Sequence, residues 1–487
     1  MSELEIAGQV VELVRRLGGP DAQAEAVVTR ADLALTRFAN SYIHQNVAES
    51  GVGVRLRLHV DGRTAAGNGS VVSAEGLRAL VERTLAAARL CPPDPAWPGL
   101  TPPTPTPTPA APAVDEATAY AEPDERAERV RAFVAAAGGL ETAGYCRTAH
   151  RSSAFANSAG HTASGRAVEA AMDGIARTGG SDGVARLCAD RLADLDGAAL
   201  GARAAARARA AADPVELPPG RYEVVLEPAA VADLLQNLSW YGFNGKRYAE
   251  RQSFAEPGAA QFDAAVTLVD DPLAGSGLPF DVEGTPRRAL TLVEAGTTRA
   301  VAHDRRSAAE DGAAPTGHAS PTAATWGPMA RNLRLCPAAT AGAGTGGGPA
   351  TATPSGAASH GVPGATGGAT VGGAPAEVVD ADTAALVERV RRGLLVSDLW
   401  YTRVLDPKSL VLTGLTRNGV WLVEDGVVTR AVRDLRFTES YPRALGPGAV
   451  LGVGRRAVRQ PDRTEGVWWE APPLRLASWN FTGGASG

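Results

Sequence analysis

The sequence predicts an α+β protein: mainly antiparallel sheets with flanking helices. Three patterns carry that reading. The run GVGVRLRLHV at 51–60 places Val52, Val54, Leu56, Leu58 and Val60 on alternate positions, the period of a strand with one buried face. SLVLTGLTRNGVWLVEDGVVTRAV at 409–432 reads as a meander, with Asn418-Gly419 and Asp425-Gly426 supplying the positive φ of tight hairpin turns. Helical stripes recur between such strands, and strands joined by hairpins with helices at intervals favour antiparallel sheets.

Length and composition bound the rest. The chain has 487 residues, enough for two to three domains, and 44% hydrophobic against 21% charged residues excludes global disorder. A formal net charge of −5 gives no electrostatic reason to approach nucleic acid or an anionic membrane, so neither is an expected partner. The N-terminal residues MSELEIAGQV lack a basic and then apolar leader, and no long apolar run is present, so a cytoplasmic location is expected. Cys91, Cys146, Cys188 and Cys336 form no CxxC pair, which fits a reducing compartment.

Taken in order, residues 1–91 are expected to form a first α+β domain. It closes on a helix with Leu77, Leu80, Val81, Leu85 and Ala88 on one stripe and Ser73 as its cap, while His59 falls on the solvent face of the preceding strand. Residues 92–118 are proline-dense and read as an extended linker or surface wrap. A central α+β domain at 119–215 opens on a helix capped by Asp124, with Val130, Phe133 and Val134 inward and Gly138 as its stop, and ends in an Ala/Arg helix at 198–212.

The C-terminal domain is expected at 216–336 and 377–487. Its strand Tyr222–Leu226 runs into Pro228, a favoured first helical residue, and Val231, Leu234, Leu235 and Leu238 give the next helix one apolar stripe until Gly242 ends it. Residues 337–376 contain no Asp, Glu, Lys or Arg and read as a disordered Gly/Ala/Thr loop. A further helix holds Leu386, Val387 and Val390, with Gly393 as its stop.

Several chemistries lack support. There is no HExxH, no GxGxxG opening a helix after a strand, no GxxxxGK[ST] and no GxSxG. Five segments in order, LTRFANSYIHQ (35–45), FANSAG (155–160), ELPPGRYEVVLEP (216–228), DRRSAAEDGAAPTGHA (304–319) and LTRNGVWLVEDGVVTRAV (415–432), resemble the TldD/TldE (PmbA) family of zinc metalloproteases. The family works as a TldD-like and TldE-like pair, and the resemblance implies a C-terminal TldD/E-like domain behind a separate N-terminal one.

In the TldD type, the strand resembling YEVVLEP leads to an HExxxH helix, whose histidines bind zinc and whose glutamate activates water. Here the window reads LLQNLSWYG. Gln236 and Tyr241 stand at the two histidine positions, Asn237 stands at the glutamate position, and Trp468 in GVW matches a third, cysteine, position more loosely. Neutral amides and a phenol are not competent ligands in such a site, and Asn237 cannot act as a general base. The resemblance is therefore to the TldE type, with no catalytic residue, metal or cofactor in this chain and zinc expected in a TldD-like partner.

The same residues have plainer readings. Gln236 and Asn237 also fit the polar side of an amphipathic helix. Trp240, Tyr241 and Phe243 fit a core cluster as well as an aromatic wall, and His303, His318 and Cys336 fit structural roles. The resemblance places DRRSAAEDGAAPTGHA beside the substrate groove, making Asp304, Arg305, Thr316, Gly317 and His318 the candidates for lining it, and the aromatic-wall reading adds Trp240 and Phe243 as candidates for binding a peptide or peptide-like substrate. The leading expectation is a cytoplasmic pseudoenzyme subunit of a heterodimeric protease acting on unfolded or precursor peptides, which enter as an added strand. The alternative is a recruited family member that tailors a peptide-like or amide-bearing natural product. An autonomous metalloenzyme using His303, His318 or Cys336, and a purely structural interaction protein, are further readings.

Overall fold

A computed structural model describes residues 1–107, 114–275, 277–338 and 378–484. Its first sheet contains β1 (Gln23–Ala39), β2 (Tyr42–Val60), β3 (Arg63–Gly69), β4 (Glu141–Asn157), β5 (Thr162–Arg177) and β6 (Asp182–Ala189). The spatial order is β3-β2-β1-β4-β5-β6, antiparallel throughout. This corrects the expected boundary between 1–91 and 119–215. β1 pairs with β2 along one edge and with β4 along the other, so strands from both segments satisfy one another's backbone groups in a single layer.

Helices cover the sheet in two pairs. Glu3–Gly18 and Ala74–Leu90 bury Ile6, Val10, Leu80 and Val81 against Val28, Val54, Leu56 and Leu58. Pro123–Ala136 and Gly197–Ala210 pack Val130, Phe133, Ala204 and Ala208 around Phe38 and Met172. Ser73 caps its helix as the sequence indicated, accepting from the Gly76 amide at 3.2 Å. The cap of the third helix is Glu122 rather than Asp124. Pro123 occupies the first turn, where its missing N–H costs nothing, and Glu122 and Glu125 close a reciprocal capping box.

The proline-rich segment is a wrap where it is described, while residues 108–113 lie outside the described residues. Trp97 stacks on His59 with ring centroids 4.9 Å apart and donates to Gln23 at 2.7 Å, so His59 is covered rather than bare to solvent. The tract expected as a loop at 337–376 lies, from residue 339 on, outside the described residues.

From residue 220 onward the chain builds two further sheets. β7 (Gly220–Leu226) is followed by β8 (Leu268–Asp270), β9 (Leu290–Glu294), β10 (Thr297–Thr298) and β11 (Leu333–Leu335). Then come β12 (Arg392–Asp406), β13 (Val411–Glu424), β14 (Val427–Ala431), β15 (Leu435–Ser440), β16 (Val450–Val453), β17 (Val458–Pro461), β18 (Trp468–Ala471) and β19 (Leu474–Gly484). One sheet runs β10-β9-β8-β11-β18-β17. In the other, β12-β7-β19-β15-β13 closes on itself because β13 also pairs with β12, leaving β14 and β16 as attachments. Val224, Leu226, Val396, Leu412, Leu422, Phe437, Trp479 and Phe481 fill the core that this ring shares with the helix after β7.

Two turn expectations change. Asp425-Gly426 is the two-residue hairpin between β13 and β14, with φ of 47° and 79°. Asn418-Gly419 instead lies inside β13, where its positive φ values of 61° and 130° make a bulge: Val396 faces Val420, Asp398 faces Arg417, and two residues oppose the single Ser397. Gly393 is likewise no helix stop. It sits in β12 opposite Glu223 of β7, and a Cβ there would lie 2.5 Å from the Glu223 carbonyl oxygen. The helix before it is Ala381–Val387, capped by Asp380.

Among the described residues, no helix is long and apolar enough to cross a membrane.

Candidate functional site

The site is built on the helix Pro228–Asn237. Glu227 precedes it with its side chain 1% exposed, held by Arg207, by Arg203 at 3.2 Å and by the Ser397 hydroxyl at 2.6 Å. Val231, Leu234, Leu235 and Leu238 enter the core, as their spacing requires, which turns Asp233, Gln236 and Asn237 toward the polar side. After Asn237 the helix widens into one π-turn, Leu238–Gly242, a local form often found where side chains are re-aimed at functional sites.

Each residue at a ligand-type position has a definite local role. Gln236 donates from Nε2 to Asp462 Oδ2 at 3.1 Å, and Trp469 Nε1 donates to the same oxygen at 3.3 Å. Asn237 donates from Nδ2 to the Asp233 carbonyl at 2.9 Å and to its carboxylate at 3.3 Å. The Tyr441 hydroxyl donates to the same carboxylate oxygen, Asp233 Oδ2, and the Thr402 hydroxyl to Oδ1, each at 2.8 Å. Burial outweighs these bonds and pushes the Asp233 carboxyl up to about 6.

The three aromatic candidates separate. Phe243 is fully buried, ringed by Phe254 and Phe262, and so presents no surface to a substrate; the core reading applies to it. Trp240 is 39% exposed, and Tyr241 is partly buried against the core edge. Trp468 lies in β18, 6% exposed, packed with Ala171 and Cys188 and covered by the Arg459 guanidinium 4.2 Å above its ring.

The segment 304–319 forms a buried brace more than a groove wall. Asp304 caps the helix Arg305–Asp311, accepting from the Ser307 amide at 2.8 Å. Thr316 Oγ1 bonds the His303 amide at 2.7 Å and His318 Nδ1 at 2.8 Å, and His318 Nε2 lies 2.9 Å from Asp270 Oδ2. Both His303 and His318 are buried, and burial lowers the His303 imidazole. Gly317 has φ 79° and abuts Pro286, whose carbonyl oxygen would lie 2.7 Å from a Cβ. His318 and Gly317 therefore give no surface to a peptide.

Arg305 is a clamp, donating to the carbonyls of Gly99 at 3.2 Å and Pro98 at 3.1 Å, and Arg306 pairs with Asp94 at 2.7 Å. These arginines fix the proline-rich wrap to the C-terminal half. Of the candidates in this segment, Asp304 alone borders a cleft of about 470 Å³, which lies between Arg55 and Arg57 of β2 and the Arg305–Asp311 helix.

Sequence reasoning missed Arg151, Arg287 and Arg331, which line a cavity of about 50 Å³ with Trp468 and Asn332. They come from β4, the strand-poor segment before β9 and the segment before β11, and no spacing joins them. Asp462 links the two features: its side chain holds Gln236, and its carbonyl accepts from Arg147 at 2.9 Å beside this cavity.

Zinc is held by imidazole, thiolate or carboxylate. The positions at issue offer two amides already hydrogen-bonded, a phenol and a buried indole, and no three His, Cys, Asp or Glu side chains among the described residues converge as a ligand set. The residues present do not fit the metal.

The fold is a mixed α/β one with antiparallel sheets, and the positions that the resemblance assigns to metal ligands carry amide and aromatic side chains. The PmbA/TldA metallopeptidase C-terminal domain matches residues 219–343 and 351–483, more than half of the chain, and the chain belongs to the TldD/PmbA family. Among curated proteins, none matches it in sequence.

Solved structures share the fold over nearly the whole length. TldE from Thermococcus kodakarensis superposes with a TM-score of 0.76 at 18% identity, covering 97% of this chain and 100% of its own. A proposed modulator of a DNA gyrase from Thermotoga maritima gives 0.75 at 15% identity, covering 98% and 99%. A proposed modulator of DNA gyrase from Bacteroides thetaiotaomicron gives 0.74 at 16%, covering 98% of each chain. At these identities the likeness is one of fold.

Proposed function

We propose that this chain is the TldE-like subunit of a two-chain peptide hydrolase, that it holds no zinc, and that a TldD-like partner supplies both zinc and general base. One observation carries the reading. On the helix and π-turn at 228–242, Gln236 and Asn237 stand where a ligand and a base are needed, and both amides are spent on ties within the protein. An amide so engaged offers neither an imidazole lone pair to a metal nor a basic oxygen to water. Family membership and the shared fold with a protein named TldE support the assignment of type.

Under this reading Trp240 is the candidate substrate contact that retains access, while Asp304, largely buried, only borders the neighbouring cleft, and peptide adds as an extended strand, where main-chain bonds tolerate varied sequence. The test is to purify the chain alone and together with a TldD-like chain bearing HExxxH. The chain alone is expected to carry only traces of zinc by elemental mass spectrometry and to leave peptides intact, and the pair is expected to cleave them. Stoichiometric zinc in the chain alone, or hydrolysis by it alone, would overturn the proposal.

A further inference from the structure

We propose that Arg151, Arg287 and Arg331 form a binding site for an oxyanion, and that the carboxylate of a peptide is the ligand it takes. The three guanidinium groups line one small cavity. Arg287 is 8% exposed; its Nη2 reaches Asn332 Oδ1 at only 3.4 Å and Asp270 at 3.8 Å, and its buried Nε has no partner. Arg151 and Arg331 have no side-chain hydrogen bond or ion pair among the described residues.

The acids nearby are already engaged. Glu169 accepts from Arg147 at 2.7 Å and from the Gly466 amide at 2.9 Å. Asp190 pairs with Arg459 at 3.0 Å, and Asp270 accepts from His318 at 2.9 Å and from the Asn332 amide at 2.7 Å. Three guanidinium groups held together out of water are costly; Asp270, 3.8 Å from Arg287, and the charges of Glu169, Glu465 and Asp462 offset part of that cost, and an anion in the cavity supplies a direct partner to Arg151 and Arg331. Burial first, and then the neighbouring Arg287 and Arg151 charges, push the Arg331 guanidinium down to about 10.

Size and lining narrow the ligand. Roughly 10–15 Å³ holds one water. The cavity of about 50 Å³ therefore has room for the end of a chain but not for a polyphosphate. Its arginine forks match a planar carboxylate, while Trp468, Val168 and Leu278 offer apolar wall. Gly466 and Trp468 of the 462–468 segment line the cavity, and Gln236 donates to Asp462 of the same segment. The anion site stands on the arginines; the peptide as its source rests on the hydrolase reading.

The experiment is calorimetric titration of the full chain alone, in low-salt buffer, with three probes: N-acetyl-dialanine, its C-terminal amide and inorganic phosphate. The free acid is expected to bind, with affinity falling about tenfold or more in Arg331→Gln and in Arg151→Gln. The amide is expected to be silent, and exposed Arg78→Gln to leave the affinity unchanged. Thermal melts without probe separate binding from folding: relief of repulsion keeps the midpoint of Arg331→Gln at or above that of the parent, and a lower midpoint would mark a structural arginine and overturn the site. Phosphate binding that is lost in the same variants, without binding of the acid, upholds the oxyanion site and removes the peptide as its source. Absence of binding by all probes at about 10 mM, or equal binding in the variants, overturns the proposal. No partner or metal enters the measurement, so a failure of the two-chain reading leaves its result intact.

Discussion

Asp233 sits between the helix that carries the degenerate motif and the barrel, and its protonation should be readable as stability. Its carboxyl is raised from 3.8 to about 6 because burial disfavours the charge more than the Thr402, Tyr441 and Asn237 bonds favour it. The sign follows from proton counting. Between these values the unfolded chain is ionised while the folded chain keeps its proton, so folding loses stability as pH rises, and the loss is complete above about 6. A shift of about two units is worth about 3 kcal/mol in total, of which about 1.4 kcal/mol accrues between pH 5 and pH 8. In Asp233→Asn the titrating group is gone, although one bond changes direction and shifts the whole curve by a constant. The stability of the variant relative to the parent should therefore climb by about 1.4 kcal/mol from pH 5 to pH 8. Urea unfolding at several pH values measures this difference, followed by tryptophan fluorescence, to which the buried Trp479, 5.7 Å from the Tyr441 ring, contributes. A flat difference, or one that falls with pH, would mean that the folded Asp233 carboxyl has already lost its proton at pH 5 and that the burial argument fails.

Two substitutions test the packing assignments around the same helix. Phe243→Ala should cost about 3–5 kcal/mol of unfolding free energy because it empties a fully buried aromatic site, whereas Trp240→Ala should cost under about 1 kcal/mol and act on substrate or partner binding instead. Gly419→Ala should lower stability by at least about 1 kcal/mol, since φ is 130° there and a Cβ would meet the Trp421 ring at 2.1 Å; a neutral result in the same urea assay would remove the bulge from the account of β13.

Local periodicity carried much of the fold. Alternation from Val52 to Val60 located β2, and the i, i+3, i+4, i+7 stripe from Val231 to Leu238 located the site helix, because both depend only on which face is buried. Partner choice between strands was not legible. That β1 bridges β2 and β4 across the intervening helices and proline-rich wrap is a long-range pairing with no local signature. Asn418-Gly419 misled for a related reason: a positive φ pair serves a hairpin or a bulge equally well, and β12 opposite decides which. At the site, the replaced motif residues were visible by resemblance, but Phe243 could not be told from Trp240 by composition. Arg151, Arg287 and Arg331 could not be found, since only the closed fold brings them to one cavity.

Under the proposed zinc-free reading, what replaces the ligand chemistry in this chain is mechanical. A metal bound by the helix and by a turn near residue 468 would tie those two elements together, and here Gln236 does so through Asp462, which Trp469 also holds. Asn237 makes the complementary tie, from the end of the helix to Asp233 and through it to Thr402 of β12 and to Tyr441 at the end of β15. Neutral amides suit that task because each supplies two donors without carrying a charge into a low-dielectric junction. The arginines behind the turn do carry charge into it, and Arg151 and Arg331 have no such tie. Under the two proposals above, the chemistry retained at this end of the molecule is recognition of an anionic group rather than activation of water.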